Sequence, residues 1–327
     1  MNTAFCSGKK ALLIGGGGTI GTYVAEELLN KGAYVDNICL EDHVSDNERL
    51  TYFKEEVTTD FLRDFLSDRR YDTVVNFIHY TVPEDFIAHH MLIAPKTAQE
   101  VFLSSIRAVG NALHPISEDS PLILDLIDDG RFVGCPEVDV QKFLETDNYA
   151  LSKARCERYL RFVSKFRNWT IVRPMISSSE RRLDLIQYTF RDVVDYAKDG
   201  RVMYLPDLCK NNVAGLEWAG NTGKLLANLL FKDECLGETY LLSTGHRMTW
   251  EYVADVYSKL LGLKTEWLPT AEYIKKTGRG GSPLFYDRGY DRFSDNSKVL
   301  RATGLTASDF TPFEEGIRRE LKKLGAI

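Results

Sequence analysis

The chain has 327 residues, of which 44% are hydrophobic and 27% are charged, a composition typical of a soluble globular protein rather than a disordered or fibrous one. Forty-one basic against 47 acidic side chains give a net charge of −6, so no general positive field attracts nucleic acid or an anionic membrane. The length suits one large domain or two lobes that share a cleft.

The N-terminal sequence MNTAFCSGKKALLIGGGG contains an apolar run that is too short for a signal peptide or a membrane span. We therefore expect a cytoplasmic protein. No C-x-x-C pair occurs among the six cysteines, which argues against a zinc site and a disulfide framework. We expect reduced, structural thiols at Cys6, Cys39, Cys135, Cys156, Cys209 and Cys235.

Apolar runs alternate with helical stretches through the first half of the chain. The runs predict strands at ALLI (11–14), YVDNICL (34–40), TVVNFI (73–78), LILDLI (122–127) and TIV (170–172). Between the first two runs, Ile20, Val24 and Leu28 recur at helical spacing, and Gly32 is placed to end that helix. This alternation predicts a parallel sheet covered by helices.

The pattern changes after about residue 174. GNTGKLLANLLF predicts a helix, ETYLLS a strand, and TWEYVADVYSKLLGL a helix capped by Thr249. We predict a Rossmann-type, doubly wound α/β domain over residues 1–174 and a smaller α/β substrate lobe over 175–327, with some chain crossing back between them.

The segment 275–292 is rich in glycine, basic residues and aromatic residues, which predicts a long loop. Its cations either clamp a substrate diphosphate or form a solvated basic loop. Asp295 is placed to cap the helix that follows. The cations are Lys275, Lys276, Arg279, Arg288 and Arg292.

The glycine-rich stretch LLIGGGGTIGTYVAEELL lies between a predicted strand and a predicted helix. It satisfies G-x-x-G-x-x-G through Gly15, Gly18 and Gly21, and G-x-G-x-x-G when Gly16 replaces Gly15. Glycine allows the tight turn and a close approach of backbone to a pyrophosphate. The N–H groups around Thr19 and Ile20 would then bind phosphate oxygens, so the stretch predicts a dinucleotide site.

Two acids follow the second predicted strand, in CLEDH. Glu41 and Asp42 lie at about the interval from the glycines at which an acid binds the adenosine ribose hydroxyls. An acid there favours NAD over NADP, because a 2′-phosphate would meet like charge. The alternative is a solvated pair of turn carboxylates.

Tyr149 precedes Lys153 by four residues in DNYALSKARCERYL, so the phenol and the ammonium lie on one helical face. Together with the glycine loop and IVRP at 171–174, this pair resembles the extended short-chain dehydrogenase/reductase family, in its NAD-dependent epimerase/dehydratase branch. GETYLLSTGHRMTWEYVADVYSKLLGL and DNSKVLRATGL resemble the substrate lobe of that branch.

The resemblance implies an NAD-dependent epimerase, dehydratase or reductase that acts on a hydroxyl carbon of a sugar, in particular a nucleotide sugar. It assigns Tyr149 as the acid/base and Lys153 as a partner that also holds the nicotinamide ribose. Pro174 would lie beside the carboxamide. Without the glycine loop, we would interpret Tyr149 and Lys153 as exposed residues on the surface of a helix.

One departure from the family concerns the serine or threonine that usually precedes a VYG-like tripeptide, at the end of the strand before the tyrosine helix. If FVG (132–134) is that tripeptide, Asp128 or Asp129 takes the hydroxyl position, and we assign Asp129 to the catalytic set. The alternative is that these aspartates merely turn the chain.

Histidines also depart from the family pattern. His79, in NFIHY, would face the cofactor where a small residue is usual, although a lone histidine is more often structural. For His89 and His90 we expect the surface of a helix, because a metal site needs a third ligand.

Two other functions stay open. The missing hydroxyl favours a cofactor-binding protein that has lost turnover and acts as a sensor or interaction module. RNA binding, as in chloroplast relatives of the branch, is weakened by the negative net charge. We expect a small-molecule substrate, NAD as cofactor, no metal, no membrane, no nucleic acid, and a homodimer.

Overall fold

The computed structural model describes residues 6–110, 114–131, 141, 144–145, 148–182, 184–281 and 283–327. The strands are β1 Lys10–Ile14, β2 Tyr34–Cys39, β3 Leu50–Lys54, β4 Tyr71–Asn76, β5 Thr97–Leu103, β6 Trp169–Pro174, β7 Ile176–Ser178, β8 Val202–Pro206, β9 Leu216–Trp218, β10 Glu238–Leu242 and β11 Lys264–Leu268.

The α-helices within the described residues alternate with these strands through the first half. They are α1 Gly21–Asn30, α2 Thr59–Phe65, α3 Pro83–Ile93, α4 Ile123–Asp128, α5 Asn148–Arg158, α6 Phe190–Lys198, α7 Ala219–Ala227, α8 Trp250–Leu261, α9 Thr270–Thr277, α10 Ser297–Thr303 and α11 Phe313–Lys323. None of these helices is long and apolar enough to cross a lipid bilayer.

Seven parallel strands form the central sheet in the order β10-β6-β5-β4-β1-β2-β3. Side chains of one strand alternate between the two faces. Leu13 packs with Val24 and Leu28 of α1, whereas Leu12 and Ile14 pack on the other face. The sheet is therefore covered by helices on both sides, and the predicted Rossmann-type fold is confirmed.

Much of the second half of the chain forms a separate core. Its apolar residues include Trp250 and Tyr257 of α8 and Ile317 of α11, all fully buried. Two small parallel sheets, β8 with β11 and β7 with β9, belong to this part.

The chain returns to the central sheet after residue 174. β10 pairs with β6, with Tyr240 opposite Val172. The apolar face of α7 packs with α1 through Leu225 and Leu226, in the same core as Val24. The edge strand and one covering helix of the first lobe are thus contributed by the second half of the sequence.

A buried ion pair joins α5 to β6. Arg173 Nη2 lies 2.8 Å from Glu157 Oε2, and its Nε lies 3.0 Å from Oε1. Ser104, directly after β5, donates to Glu157 Oε1 at 2.5 Å, and Arg173 also donates to the carbonyl of Glu118. Although burial acts to raise the pKa of Glu157, the Arg173 charge and these hydrogen bonds outweigh it and lower the pKa.

The structure confirms several local predictions in the second half. Thr249 Oγ1 accepts a hydrogen bond from Tyr252 N at the start of α8. Asp295 accepts a hydrogen bond from Ser297 N at the start of α10. These capping signals are local, so they are readable from sequence.

Other predicted elements are wrong. LILDLI is not a strand: Leu122 precedes helix α4, which runs to Asp128. The strand that follows β4 is β5, which was not predicted. The segment 275–292 is only partly a loop, because α9 runs to Thr277 and residues 284–288 form a helical turn.

His89 and His90 are not surface residues. They are 4% and 0% exposed, respectively. His90 bonds Glu100 of β5 at 2.7 Å and Ser164 at 2.7 Å, and His89 bonds Tyr80 at 2.9 Å. Both ring nitrogens of His90 and Nδ1 of His89 thus have partners inside the protein, which accounts for the burial of these side chains on α3.

The glycines of the loop differ in what surrounds them. A Cβ on Gly21 would lie 2.3 Å from the carbonyl oxygen of Gly16, and one on Gly16 would lie 2.6 Å from Asn37 Oδ1. Gly15 has a φ of +75°, which other residues rarely adopt. No atom lies within 4 Å of a Cβ built on Gly18. Packing thus requires glycine at 16 and 21 but leaves space at 18.

We predict that Gly21→Ala lowers the free energy of unfolding by about 1–3 kcal/mol, because the added methyl group overpacks the turn. Gly18→Ala is the matched control and should change it by less than about 0.5 kcal/mol. Urea unfolding of both variants measures this. Equal stabilities for the two variants would contradict the packing argument.

Candidate active site

The carboxyl ends of the parallel strands meet at one edge of the sheet, where two cavities lie, and a third cavity adjoins one of them. We call the first the glycine cavity; its volume is about 410 Å³. It is lined by Gly15, Gly17, Gly18, Ile38, Cys39, Leu40, Glu41, Glu55, Glu56, Val57 and Ile78. Ligands of open α/β sheets bind at this edge.

Of the two acids expected near the ribose, Glu41 faces the glycine loop. Its Oε2 lies 3.1 Å from the position of a Cβ on Gly17. Asp42 instead forms an ion pair with Lys54 and is 77% exposed. Cys39 and His43 bring a thiol and an imidazole within 4.8 Å of the Glu41 carboxylate. Glu41 is thus the acid placed to meet a ligand of the loop.

The turn between β1 and α1 presents backbone donors. The N–H groups of Thr19 and Ile20 make no hydrogen bond within the described part of the chain, and Ile20 precedes α1 directly. Such donors at a helix start, reinforced by the helix dipole, bind phosphate groups. Thr19 and Ile20 line the second cavity together with Tyr149.

The second cavity, here the tyrosine cavity, has a volume of about 480 Å³. Residues from both halves of the chain form its wall: Thr19, Ile20, Leu103, Ser104, Ser105, Ile106, Arg107, Tyr149, Pro174, Met175, Ile176, Ser177, Arg182, Pro283, Asp287 and Arg288. The structure thus brings Thr19, Ile20, Tyr149 and Pro174 together.

Lys153 lies beneath this cavity rather than in its wall. It is 2% exposed, and its Nζ donates to the carbonyls of Ile78 at 3.0 Å and Leu103 at 2.6 Å. Ile78 lies just after β4, and Leu103 is the last residue of β5. Burial lowers the pKa of Lys153 to about 8, although Cys156 and Glu157 act in the opposite direction.

Two serine hydroxyl groups, which were not predicted from the sequence, lie at the end of β5. Ser104 and Ser105 follow Leu103, and AVG follows at 108–110, which is the expected order of strand, hydroxyl and tripeptide. Ser104 is bound to Glu157. Ser105 lines the tyrosine cavity, and its oxygen accepts a hydrogen bond from Arg107 N at 3.2 Å. Ser105 thus places a hydroxyl group in the cavity that Tyr149 also lines.

Asp129 does not occupy the position that was assigned to it. It ends α4, is about half exposed, and forms an ion pair with Arg131. Asp128 pairs with Arg158 at 2.9 Å. The assignment depended on LILDLI being a strand, and it fails because that segment is a helix; FVG at 132–134 lies outside the described residues. The missing hydroxyl, which favoured a sensor, therefore no longer supports that alternative.

His79 is exposed and contacts Tyr149. The two ring centroids are 4.7 Å apart, and His79 Nε2 lies 3.1 Å from Ser152 Oγ. Partial burial, followed by the charges of Lys153 and Arg107, lowers the pKa of His79. A neutral imidazole therefore lies beside the tyrosine at neutral pH.

The third cavity, here the arginine cavity, has a volume of about 520 Å³. Residues of the second lobe line it: Arg181, Arg182, Asp184, Ile186, Gln187, Tyr188, Thr189, Gly278, Arg279, Gly280, Pro283 and Arg288. It shares Arg182, Pro283 and Arg288 with the tyrosine cavity. The two cavities are therefore neighbours along one cleft.

The basic residues expected to form a clamp fall into two groups. Lys275 and Lys276 are exposed on α9, whereas Arg288 and Arg292 are 8% and 2% exposed. Arg279 stacks on Tyr188, with its Cζ 4.2 Å from the ring centroid. Of these cations, Arg279 and Arg288 line the cleft.

Arg181 connects the second lobe to the glycine loop, and this role of Arg181 was not predicted from the sequence. Its guanidinium donates to the carbonyl of Gly17. Arg181 lies in the segment SSSERR, which matches no known motif, so this contact was not predictable from the sequence.

No protein-family model matches the chain, and no curated protein sequence matches it. Solved structures do match over almost the whole length. An epimerase from Methanothermobacter thermautotrophicus is 14% identical with a TM-score of 0.71, and the match covers 98% of this chain and 93% of the epimerase.

Two enzyme complexes are similar to the same extent. WbmG of Bordetella bronchiseptica, solved with NAD and UDP, is 17% identical with a TM-score of 0.69, and the match covers 98% of this chain and 96% of WbmG. UDP-glucuronic acid 4-epimerase of Bacillus cereus, solved with UDP-glucuronic acid and NAD, is 13% identical with a TM-score of 0.67, over 96% and 99% of the two chains. The protein therefore has the fold of these epimerases, as the sequence resemblance predicted.

Proposed function

We propose that this protein is an NAD-dependent epimerase, dehydratase or reductase that acts on a hydroxyl carbon of a nucleotide sugar. One observation carries the proposal: the turn with the free N–H groups of Thr19 and Ile20 lines the same cavity as Tyr149 and Ser105. A dinucleotide bound at the turn would thus place its reactive end in the same space as a proton-transferring pair.

The residues around the glycine loop fit NAD. The open space at Gly18 admits a pyrophosphate close to backbone. Glu41 would accept hydrogen bonds from the adenosine ribose hydroxyls and would repel a 2′-phosphate. Arg181, bonded to the Gly17 carbonyl, adds a positive charge beside the phosphate site. These features favour NAD over NADP.

The nicotinamide supplies the exchange of hydride with the substrate carbon. Tyr149 accepts the proton of the substrate hydroxyl and returns it, and the Ser105 hydroxyl donates a hydrogen bond to the same substrate oxygen. The guanidinium Cζ of Arg107 lies 5.2 Å from the Tyr149 ring centroid, so a positively charged group lies beside this side chain. Two of the three ammonium donors of Lys153 bind carbonyls, leaving a third for Tyr149 or a ribose hydroxyl.

A nucleotide sugar suits the length and chemistry of the cleft. Arg182 and Arg288 lie where the tyrosine and arginine cavities meet, and guanidinium groups bind phosphates in a bidentate manner. WbmG was solved with NAD and UDP, which supports a nucleotide in this half of the cleft.

We predict that NAD(H) stabilises the protein, by about 2.7 kcal/mol at 100 times its dissociation constant. Gly18→Val should fold normally, because space is open at that position, but should lose this stabilisation. Thermal unfolding with NAD, NADH, NADP and NADPH measures both effects. An unchanged melting temperature with saturating NAD(H) would refute the proposal, and stronger stabilisation by NADP(H) would refute the role of Glu41.

Tyr149→Phe should keep NAD affinity and reduce turnover by about 10²–10⁴-fold, because only the proton-transferring group is lost. Ser105→Ala should reduce turnover by about tenfold or more, the effect of one lost hydrogen bond. Asp129→Ala is the control and should behave as wild type. Turnover of a panel of nucleotide sugars is the measurement. Full activity of Tyr149→Phe would exclude this chemistry.

The lowered pKa of Lys153 predicts a pH dependence of stability. Between pH 8, the folded pKa, and about 10.4, the unfolded value, the unfolded chain binds more protons than the folded chain. The free energy of unfolding of wild type, relative to Lys153→Met, should therefore rise with pH by about 1 kcal/mol per unit across this window. Urea unfolding at pH 7.5, 8.5 and 9.5 measures the difference. A constant difference would show that the pKa is not lowered.

A further inference from the structure

Three side chains that can bind a metal ion lie close together at the end of β2. Cys39 is the last residue of that strand, and Glu41 and His43 follow it at intervals of two. A sulfur, a carboxylate oxygen and an imidazole nitrogen lie within 4.8 Å of one another. The absence of a C-x-x-C pair argued against zinc in the sequence, but the spacing C-x-E-x-H brings together three different types of ligand.

These side chains surround one side of Gly17 in the glycine loop. A Cβ on Gly17 would lie 3.1 Å from Glu41 Oε2, 3.3 Å from His43 Nε2 and 2.9 Å from the Cβ of Cys39. Because Gly17 has no side chain, the three groups face a small space beside the loop backbone.

The imidazole of His43 has a polar atom that needs a partner. Its Nε2 is buried and makes no hydrogen bond within the described part of the chain. Glu41 Oε2 lies 4.0 Å away, which is too far for a hydrogen bond. The ring of His43 packs against Tyr52, with the ring centroids 4.9 Å apart. A buried polar atom without a partner costs free energy, and a ligand beside Gly17 would remove that cost.

We propose that Cys39, Glu41 and His43 bind a Zn²⁺ ion, and that this ion competes with NAD(H). Zinc in proteins takes thiolate, imidazole and carboxylate ligands at about 2.0–2.3 Å, and three of them with one water complete a tetrahedron. The ligand atoms of such a tetrahedron are about 3.3–3.6 Å apart, so the cluster requires shifts of about 1 Å. The side chain of Glu41, 62% exposed, is free to make them.

The charges of the proposed complex balance. The Cys39 thiol, whose sulfur lies 3.5 Å from the Glu41 carbonyl oxygen, releases its proton to water, because only the thiolate binds the metal. The thiolate and the carboxylate together neutralise the two charges of the ion. A neutral complex suits a place beside the guanidinium of Arg181, which donates to the Gly17 carbonyl. The sulfur ligand disfavours Mg²⁺ and Ca²⁺, which take oxygen ligands.

The metal ion and the dinucleotide would need the same carboxylate. Glu41 is the acid proposed to accept hydrogen bonds from the adenosine ribose, and Gly17, Cys39 and Glu41 all line the glycine cavity. Zinc bound there would take Glu41 from the ribose and occupy space beside the loop. The competition rests on the proposed role of Glu41, whereas the metal site depends only on its three ligands.

The metal site is tested with Co²⁺ in place of Zn²⁺, on the reduced full chain without nucleotide. Co²⁺ bound by a thiolate has a sulfur-to-metal charge-transfer band in the near ultraviolet. Wild type should show this band with one equivalent of Co²⁺ and lose it when Zn²⁺ is added. Cys39→Ser should not show the band. Cys6→Ser is the matched control and should keep it, because both thiols are 4% exposed but Cys6 is not part of the cluster.

Calorimetry measures the zinc affinity, with titrations of Zn²⁺ into NAD alone subtracted. His43→Gln should weaken Zn²⁺ by more than about 100-fold, because a lost ligand costs more than a lost partner of a ligand. NAD at 100 times its dissociation constant should weaken Zn²⁺ binding to wild type by about 100-fold, as mutually exclusive binding requires. NAD should stabilise His43→Gln as it does wild type, with or without zinc. Melting temperatures show whether each variant is folded.

Three results would overturn the inference. A missing charge-transfer band in wild type, or an unchanged band in Cys39→Ser, would remove the metal site. Equal zinc affinities of wild type and His43→Gln would show adventitious binding elsewhere on the surface. An unchanged zinc affinity with saturating NAD would remove the competition. The proposed function fails separately, by the absence of NAD stabilisation or by full activity of Tyr149→Phe, and neither result affects zinc binding to the nucleotide-free protein.

Discussion

The buried ion pair between Glu157 and Arg173 holds together the parts from which the candidate site is built. It connects α5 to β6, and Ser104 connects the end of β5 to the same carboxylate. Two charges taken out of water are stable only when their geometry is good and their remaining polar atoms are bound. Displacement of α5 would leave both charges unpaired, so the pair constrains where Tyr149 and Lys153 lie.

Positive groups are concentrated at one edge of the sheet in a chain whose net charge is −6. The start of α1, the ammonium of Lys153 and the guanidinium groups of three arginines lie in or beside the tyrosine cavity. Charges in a cleft with weakly polarisable walls are screened less than charges on an open surface. The overall charge therefore does not describe the tyrosine cavity, whose wall contains Arg107, Arg182 and Arg288.

Local signals in the sequence were sufficient for much of the fold. Thr249 marks the start of α8 because its side chain binds neighbouring backbone. The mistaken strand has a local cause. LILDLI is a short apolar run, and periodicity cannot separate a buried strand from a buried helix in such a run. This mistaken strand is the reason that Asp129, and not a residue after β5, was assigned to the catalytic set.

The true strand, β5, escaped prediction because its polar residues find partners far along the chain. Gln99 donates to Thr170 and to the carbonyl of Leu229, and Glu100 bonds His90. These contacts make Gln99 and Glu100 core residues and bury His90, but they exist only in the folded chain. The ion pair between Arg107 and Asp287 likewise joins residues 180 positions apart, a distance at which sequence spacing carries no information.

The return of the chain to β10 affects how the protein can be divided. A fragment that ended at Pro174 would lack β10, one of the two strands that pair with β6. The backbone N–H and C=O groups on that side of β6 would then form an open edge. Open edges of this kind pair with other chains and promote aggregation. Synthesis must also reach residue 242 before the sheet is complete, and such long-range pairing slows folding. The two lobes are therefore separate in space but depend on each other in folding.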